Sequence, residues 1–161
     1  MAREIERKFL VRNDAWRRNS APGVVMRQGY LNDVTREREP RASVRVRVAG
    51  ERSWLNVKSA TLGIQRLEFE YAIPVADARE MLASLCAGRT IEKTRHVVLH
   101  RGHEWEVDVF HGRNEGLVVA ELELRAQDEA FEHPPWLGEE VSGDPRYYNV
   151  SLARNPYRSW G

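Results

Sequence analysis

Val44-Arg45-Val46-Arg47-Val48 alternates a full positive charge with a β-branched residue over five positions. β-Branched side chains favour extended backbone. A spacing of two puts Arg45 and Arg47 on one face of a strand and the valines on the other. A single pair of this kind usually marks a sheet face turned to water. The neighbouring segments repeat it too often for that reading. Glu4, Glu6 and Lys8 surround Ile5; Glu68 and Glu70 alternate with Leu67, Phe69 and Tyr71; Lys93 and Arg95 lie two apart. Glu106 and Asp108 alternate with Trp105, Val107 and Val109, and Glu121 and Glu123 with Leu122 and Leu124; Lys58 adds one more base. Each pair is of like sign and therefore locally repulsive, whereas solubility alone would favour mixed signs within a strand.

Closure of the strands into a barrel accounts for the pattern, because one face of every strand then points into a shared lumen. The apolar face turns outward and needs covering by helices. Charges facing one another across the lumen can pair, hold cations and grip an anion together. A dry lumen would make their desolvation prohibitive, so it should hold water, ions and ligand. The eight acids and six bases leave an excess of two negative charges, which suits divalent cations.

Period-two alternation predicts eight strands, near 3–11, 24–31, 43–49, 53–59, 66–73, 91–100, 103–110 and 117–125. Ala49-Gly50-Glu51 and Arg101-Gly102 supply tight turns, Gly112 and Gly116 flank a third, and Pro74 ends the fifth strand. Short links imply antiparallel neighbours. Ala78, Met81, Leu82 and Leu85 give residues 76–86 a helical stripe with Asp77 as its N-cap. A short helix is expected over Asp128–Phe131. Another is expected from Asp144-Pro145 to about Ala153, with Trp136 and Leu137 packed outside the barrel. The expectation is an α+β domain: a closed eight-stranded antiparallel barrel with a few external helices.

With 161 residues the chain fits one domain, 1–161. Its 42% hydrophobic and 30% charged content is that of a globular protein. The 25 Lys and Arg against 24 Asp and Glu give a net +1, without the basic excess of an unspecific nucleic-acid binder. No apolar run is long enough to span a membrane. The N-terminus carries charges where a signal peptide needs apolar residues. One cysteine, Cys86, excludes an intrachain disulfide and fits a reducing compartment. A cytoplasmic monomer or homodimer, with no nucleic-acid or membrane partner, is expected.

Glu4-Ile5-Glu6-Arg7-Lys8 is an ExExK signature at the N-terminus, and it resembles that of the triphosphate tunnel metalloenzymes, the CYTH family. The resemblance continues through Gln28-Gly29-Tyr30-Leu31, Val44-Arg45-Val46-Arg47, Val57-Lys58, Glu68-Phe69-Glu70 and Glu92-Lys93-Thr94-Arg95. It ends with Trp105-Glu106-Val107-Asp108-Val109-Phe110, Ala120-Glu121-Leu122-Glu123-Leu124 and Gly143-Asp144-Pro145-Arg146-Tyr147-Tyr148-Asn149. It implies an eight-stranded tunnel that binds a triphosphate and one or two Mg2+ or Mn2+ ions. Glu4, Glu6 and Glu123, with Glu121 beside them, take the place of metal ligands. Lys8, Arg45, Arg47, Lys58, Lys93 and Arg95 take that of the triphosphate clamp. Glu68, Glu70, Glu106 and Asp108 would orient bases or hold a second ion. The compact members of the family resemble inorganic triphosphatases, while others are thiamine triphosphatases or class IV adenylyl cyclases, so the fold alone leaves the substrate open.

The chemistry agrees independently. Arg and Lys give charge-assisted, often bidentate hydrogen bonds to phosphate oxygens. Carboxylates are hard ligands for Mg2+ or Mn2+. Phosphoryl transfer relies on positioning and charge stabilisation more than on a protein nucleophile. The expected catalytic set is Glu4, Glu6, Lys8, Glu68, Glu70 and Asp108, with Glu68 or Glu70, or a second ion, activating water. His96 and His100 share a strand face but lie about 13 Å apart, too far for one zinc ion. No P-loop motif occurs, and Cys86 reads as core. A non-catalytic polyphosphate or nucleotide binder is the alternative of another class.

Overall fold

The computed structural model describes residues 3–61 and 63–160. Strands β1 (Arg3–Val11), β2 (Val24–Tyr30), β3 (Ala42–Ala49), β4 (Arg52–Ser59), β5 (Gln65–Ala72), β6 (Thr90–His100), β7 (His103–Phe110) and β8 (Val118–Glu123) follow the predicted alternation. They are antiparallel in the order β5-β4-β3-β2-β6-β7-β8-β1, and β1 pairs back to β5, so the barrel closes. Two hairpins show their turn chemistry. Gly50 opens the β3–β4 turn at φ 62°, and Arg101 and Gly102 take φ 49° and 83° between β6 and β7, conformations that match the twist of paired strands.

A ninth short strand, β9 (Leu137–Glu140), was not anticipated; it pairs with Phe9 and Val11 of β1, beyond the Arg3–Ile5 stretch that β5 covers. Four residues are too few for alternation to announce a strand.

Helix α1 (Val75–Ser84) packs Ala78, Leu82 and the following Cys86 over the outer face of β3 around Val46. It starts before the expected 76–86 stripe. Pro74 occupies the cap position and accepts the Ala78 amide at 3.0 Å, leaving Asp77 in the first turn and not at the cap. The predicted Asp128–Phe131 helix does not form. Glu129 is instead drawn to the Arg125 amide and the His103 ring, and Phe131 stacks on His133. The predicted 144–153 helix is split. Asp144 does accept the Arg146 amide, but Tyr148 turns extended between a 3-10 turn at Pro145–Tyr147 and α2 (Asn149–Leu152). The Tyr148 hydroxyl donates to the Ser142 carbonyl at 2.6 Å, which directs that ring inward.

The outward apolar residues are covered more by loops than by helices. Phe9, Trp105, Val107 and Leu122 form one core with Trp16, Trp136 and Leu137, while Leu67, Phe69 and Tyr71 on β5 stay exposed. Another core lies inside. Tyr30, Ile91, Phe110 and Val119 share the inward pleat with the charged residues and pack on Leu152 and Ala153. One end of the lumen is therefore an apolar floor, not a continuation of the charged wall.

Candidate active site

The inward faces enclose a chamber of about 280 Å³. All the charged residues singled out on the alternating strands border it except Asp108. Asp108 is fully buried behind the wall, where it accepts from Lys93 Nζ at 2.7 Å and from Arg95 Nε and Nη2 at 2.8 and 2.9 Å. Residues opposite one another in register share a face, so the pairing of strands decides which charges meet. Arg95 lies opposite Asp108, Glu106 opposite Glu121, Lys8 opposite Glu121 and Lys58 opposite Glu68.

The cations fall into two groups. Lys58 reaches Glu4 at 3.2 Å and Glu68 at 3.3 Å; Lys8 reaches Glu121 at 3.5 Å; Arg95 adds Glu106 at 2.9 Å and Glu121 at 3.5 Å to its fork with Asp108. Arg45, Arg47 and Arg66 also border the chamber, and among the described residues none of them has an acid within 4.0 Å. The buried Nε of Arg45 has no hydrogen-bond partner among the described residues. Burying a guanidinium nitrogen without an acceptor is costly, and an anion would supply acceptors.

Carboxylate oxygens of Glu6, Glu106 and Glu121 come within 4.8 Å of one another. The sequence points to Glu4, Glu6, Glu121 and Glu123 as the metal set, and Glu6 and Glu121 belong to this trio. Glu4 instead engages Lys58, and Glu123 sits exposed at the chamber's edge opposite Glu6. Three hard oxygen donors converging at one point fit a divalent cation, and their mutual repulsion gives a cation something to relieve.

Several bordering residues were missed. Asn56 and Arg66 precede Lys58 and Glu68 by two positions, so extending the same period would have found them. Asn56 donates to Glu68 at 3.1 Å and to Glu70 at 3.2 Å. Ser142, Tyr148 and Asn149 come from the C-terminal segment, which carries no strand alternation. Tyr148 lies within 5.5 Å of Lys8 Nζ and 5.4 Å of the Arg66 guanidinium.

Residues 2–157 match the CYTH domain family model. The chain belongs to the CYTH family. It is 48% identical over 160 residues to an inorganic triphosphatase of Acetivibrio thermocellus, with 99% of each chain covered. It is 40% identical over 153 residues to an inorganic triphosphatase of Nitrosomonas europaea, covering 93% of this chain and 96% of that one. A crystal structure of an inorganic triphosphatase superposes with a TM-score of 0.67 at 36% identity, over 93% of this chain and 97% of the other.

The electrostatics of this CYTH chamber follow from burial. Burial and the Glu121 carboxylate push Glu6 up to about 7, and burial with a hydrogen bond to Glu68 pushes Glu4 up to about 8. Burial also raises Glu106. For Glu68 burial is outweighed by the Glu4 proton and Lys58, which draw it down to about 2. Glu121 lies well below the usual range because Lys8 and Arg95 more than offset its burial. Burial draws Lys93 down to about 7 despite Asp108, and burial with Arg45 and Arg95 nearby draws Arg47 down to about 9. The raised acids ease when a cation enters and the lowered bases when an anion does.

Proposed function

We propose that this CYTH protein hydrolyses inorganic tripolyphosphate with Mg2+ or Mn2+, as a single 1–161 catalytic unit in the cytoplasm, monomeric or homodimeric. The observation that carries the reading is the opposition of two charge sets. Among the described residues Arg45 and Arg47 stand without acid partners on β3, four strands around the closed barrel in either direction from Glu121 on β8. A triphosphate carrying a divalent cation is complementary to both walls at once.

In this reading Arg45, Arg47 and Arg66 grip phosphate oxygens, with Lys8 and Lys58 turning from their carboxylates toward the same anion. Glu6, Glu106 and Glu121, with Glu4 and Glu123 close by in the wall, hold the cation. The bound ion would neutralise phosphate charge and make a coordinated water more acidic. Lys93, Arg95 and Asp108 serve mainly to shape the wall, since their charges are satisfied by one another. Of the two carboxylates expected to activate water, Glu68 is tied to Lys58 and Asn56 and held low. Glu70 accepts only from Asn56 among the described residues. We assign the proton-accepting role to Glu70. The inorganic substrate is favoured over ATP or thiamine triphosphate because the chamber lining offers little apolar surface. It consists of Tyr30, Tyr148 and Val150, and the Tyr148 ring already carries two cations.

The test is phosphate release from tripolyphosphate, ATP and thiamine triphosphate, each with Mg2+ and with Mn2+. Turnover of tripolyphosphate well above the other two is expected. Formation of cyclic AMP from ATP as the main reaction would assign a cyclase instead. Tight binding of tripolyphosphate without turnover under either ion would assign a binder.

A further inference from the structure

Arg47 differs from Arg45 in having one tether. Its Nε donates to Gln28 Oε1 at 2.9 Å. Gln28 lies opposite Arg47 in the β2–β3 register and is fully buried. Its amide nitrogen donates to Asn149 Oδ1 at 3.1 Å, and the same oxygen accepts from Lys93 Nζ at 3.1 Å. A primary amide has one accepting and one donating end. Two donors converging on Asn149 Oδ1 keep the donating end of Gln28 turned toward Asn149, and so keep its carbonyl turned toward Arg47. With Nε held, the terminal nitrogens of Arg47 are left for the chamber. Asn149 is itself fixed by the C-terminal segment, where Leu152 and Ala153 join the apolar floor.

We infer that Gln28 and Asn149 are positioning residues that align the Arg47 guanidinium for the triphosphate, so that docking of the C-terminal segment sets the geometry of the clamp. The inference rests on the proposed triphosphate reading. Without the tether, Arg47 is left to repulsion from Arg45 and Arg95 and attraction by Asp108 and Glu121, none of which holds it to the gripping position. A correctly oriented guanidinium loses less rotamer freedom on binding than a free one.

The decisive measurement is tripolyphosphate affinity by titration calorimetry in EDTA, so that no metal enters, with kcat and KM measured beside it. Gln28→Leu, close in size, is expected to weaken binding about tenfold and to raise KM more than it lowers kcat. In an Arg47→Ala background the same change is expected to cost less than about twofold, because the group it acts through is gone. Asn149→Ala, at a less buried position, is expected to weaken binding about threefold to tenfold, and it carries the test if Gln28→Leu does not fold. Wild-type affinity in the variant that folds, or a full Gln28→Leu effect that persists without Arg47, overturns the inference. If Arg47→Ala itself leaves tripolyphosphate binding unchanged, it is the triphosphate reading that falls.

Discussion

The β6 wall and the β3 wall each carry a pair of basic residues two apart, in different surroundings. On β6, Arg95 lies directly opposite Asp108 of β7, and Lys93 reaches the same carboxylate. On β3, Arg45 and Arg47 are flanked by Tyr30 and Gln28 on one side and by Asn56 and Trp54 on the other, with no acid in register. The basic pair of the first wall is saturated and that of the second is open. For these two basic pairs, charge is tied up where the register supplies its opposite and left free where it does not.

Glu6→Ala should give the largest effect, because it removes one of the three converging carboxylates. Loss of tripolyphosphate hydrolysis by on the order of 10³-fold is expected, with thermal stability in EDTA unchanged or raised. An active Glu6→Ala enzyme refutes the metal assignment.

Asp108→Ala attacks the saturated wall and should act through stability. Leaving Lys93 and Arg95 buried without their partner is expected to cost about 3–5 kcal/mol in urea unfolding. Arg45→Ala attacks the open wall and should do the reverse. Removing an unpaired buried cation leaves stability within about 1 kcal/mol of wild type or improves it, while kcat/KM for tripolyphosphate falls about 10- to 100-fold. Equal stability losses in the two variants would erase the distinction between the walls.

The smallest effect is a pH dependence of the metal-free protein. Glu4 and Glu6 are held up to about 8 and 7, above the ordinary carboxylate value they regain on unfolding. Between about pH 5 and 7 the folded chain therefore binds more protons than the unfolded one, and stability falls as pH rises, by on the order of 1 kcal/mol. Above that window Lys93, drawn down to about 7, acts in the opposite direction, because the unfolded chain then holds the extra proton. Melting temperatures in EDTA from pH 5 to 7 should decline, and Mg2+ or Mn2+ should flatten the decline by favouring the ionised acids. A rising profile in EDTA would show that the acids are not held protonated.

Alternation by itself fixed the eight strands, the inward face of each and the closure of the barrel, because the side-chain period of a strand is a local property of the backbone. It also placed Glu4, Glu6, Arg45, Arg47, Lys58 and Glu121 in one chamber. Spacing along a strand says nothing about distance across strands. Which acid meets which base was therefore left to the register: Glu106 joining Glu6 and Glu121, Asp108 withdrawn behind Lys93 and Arg95, Glu4 committed to Lys58. The apolar floor, the ninth strand and the reach of Tyr148 and Asn149 into the chamber depend on how a non-alternating C-terminal segment packs against the closed barrel, and only the tertiary structure decides that.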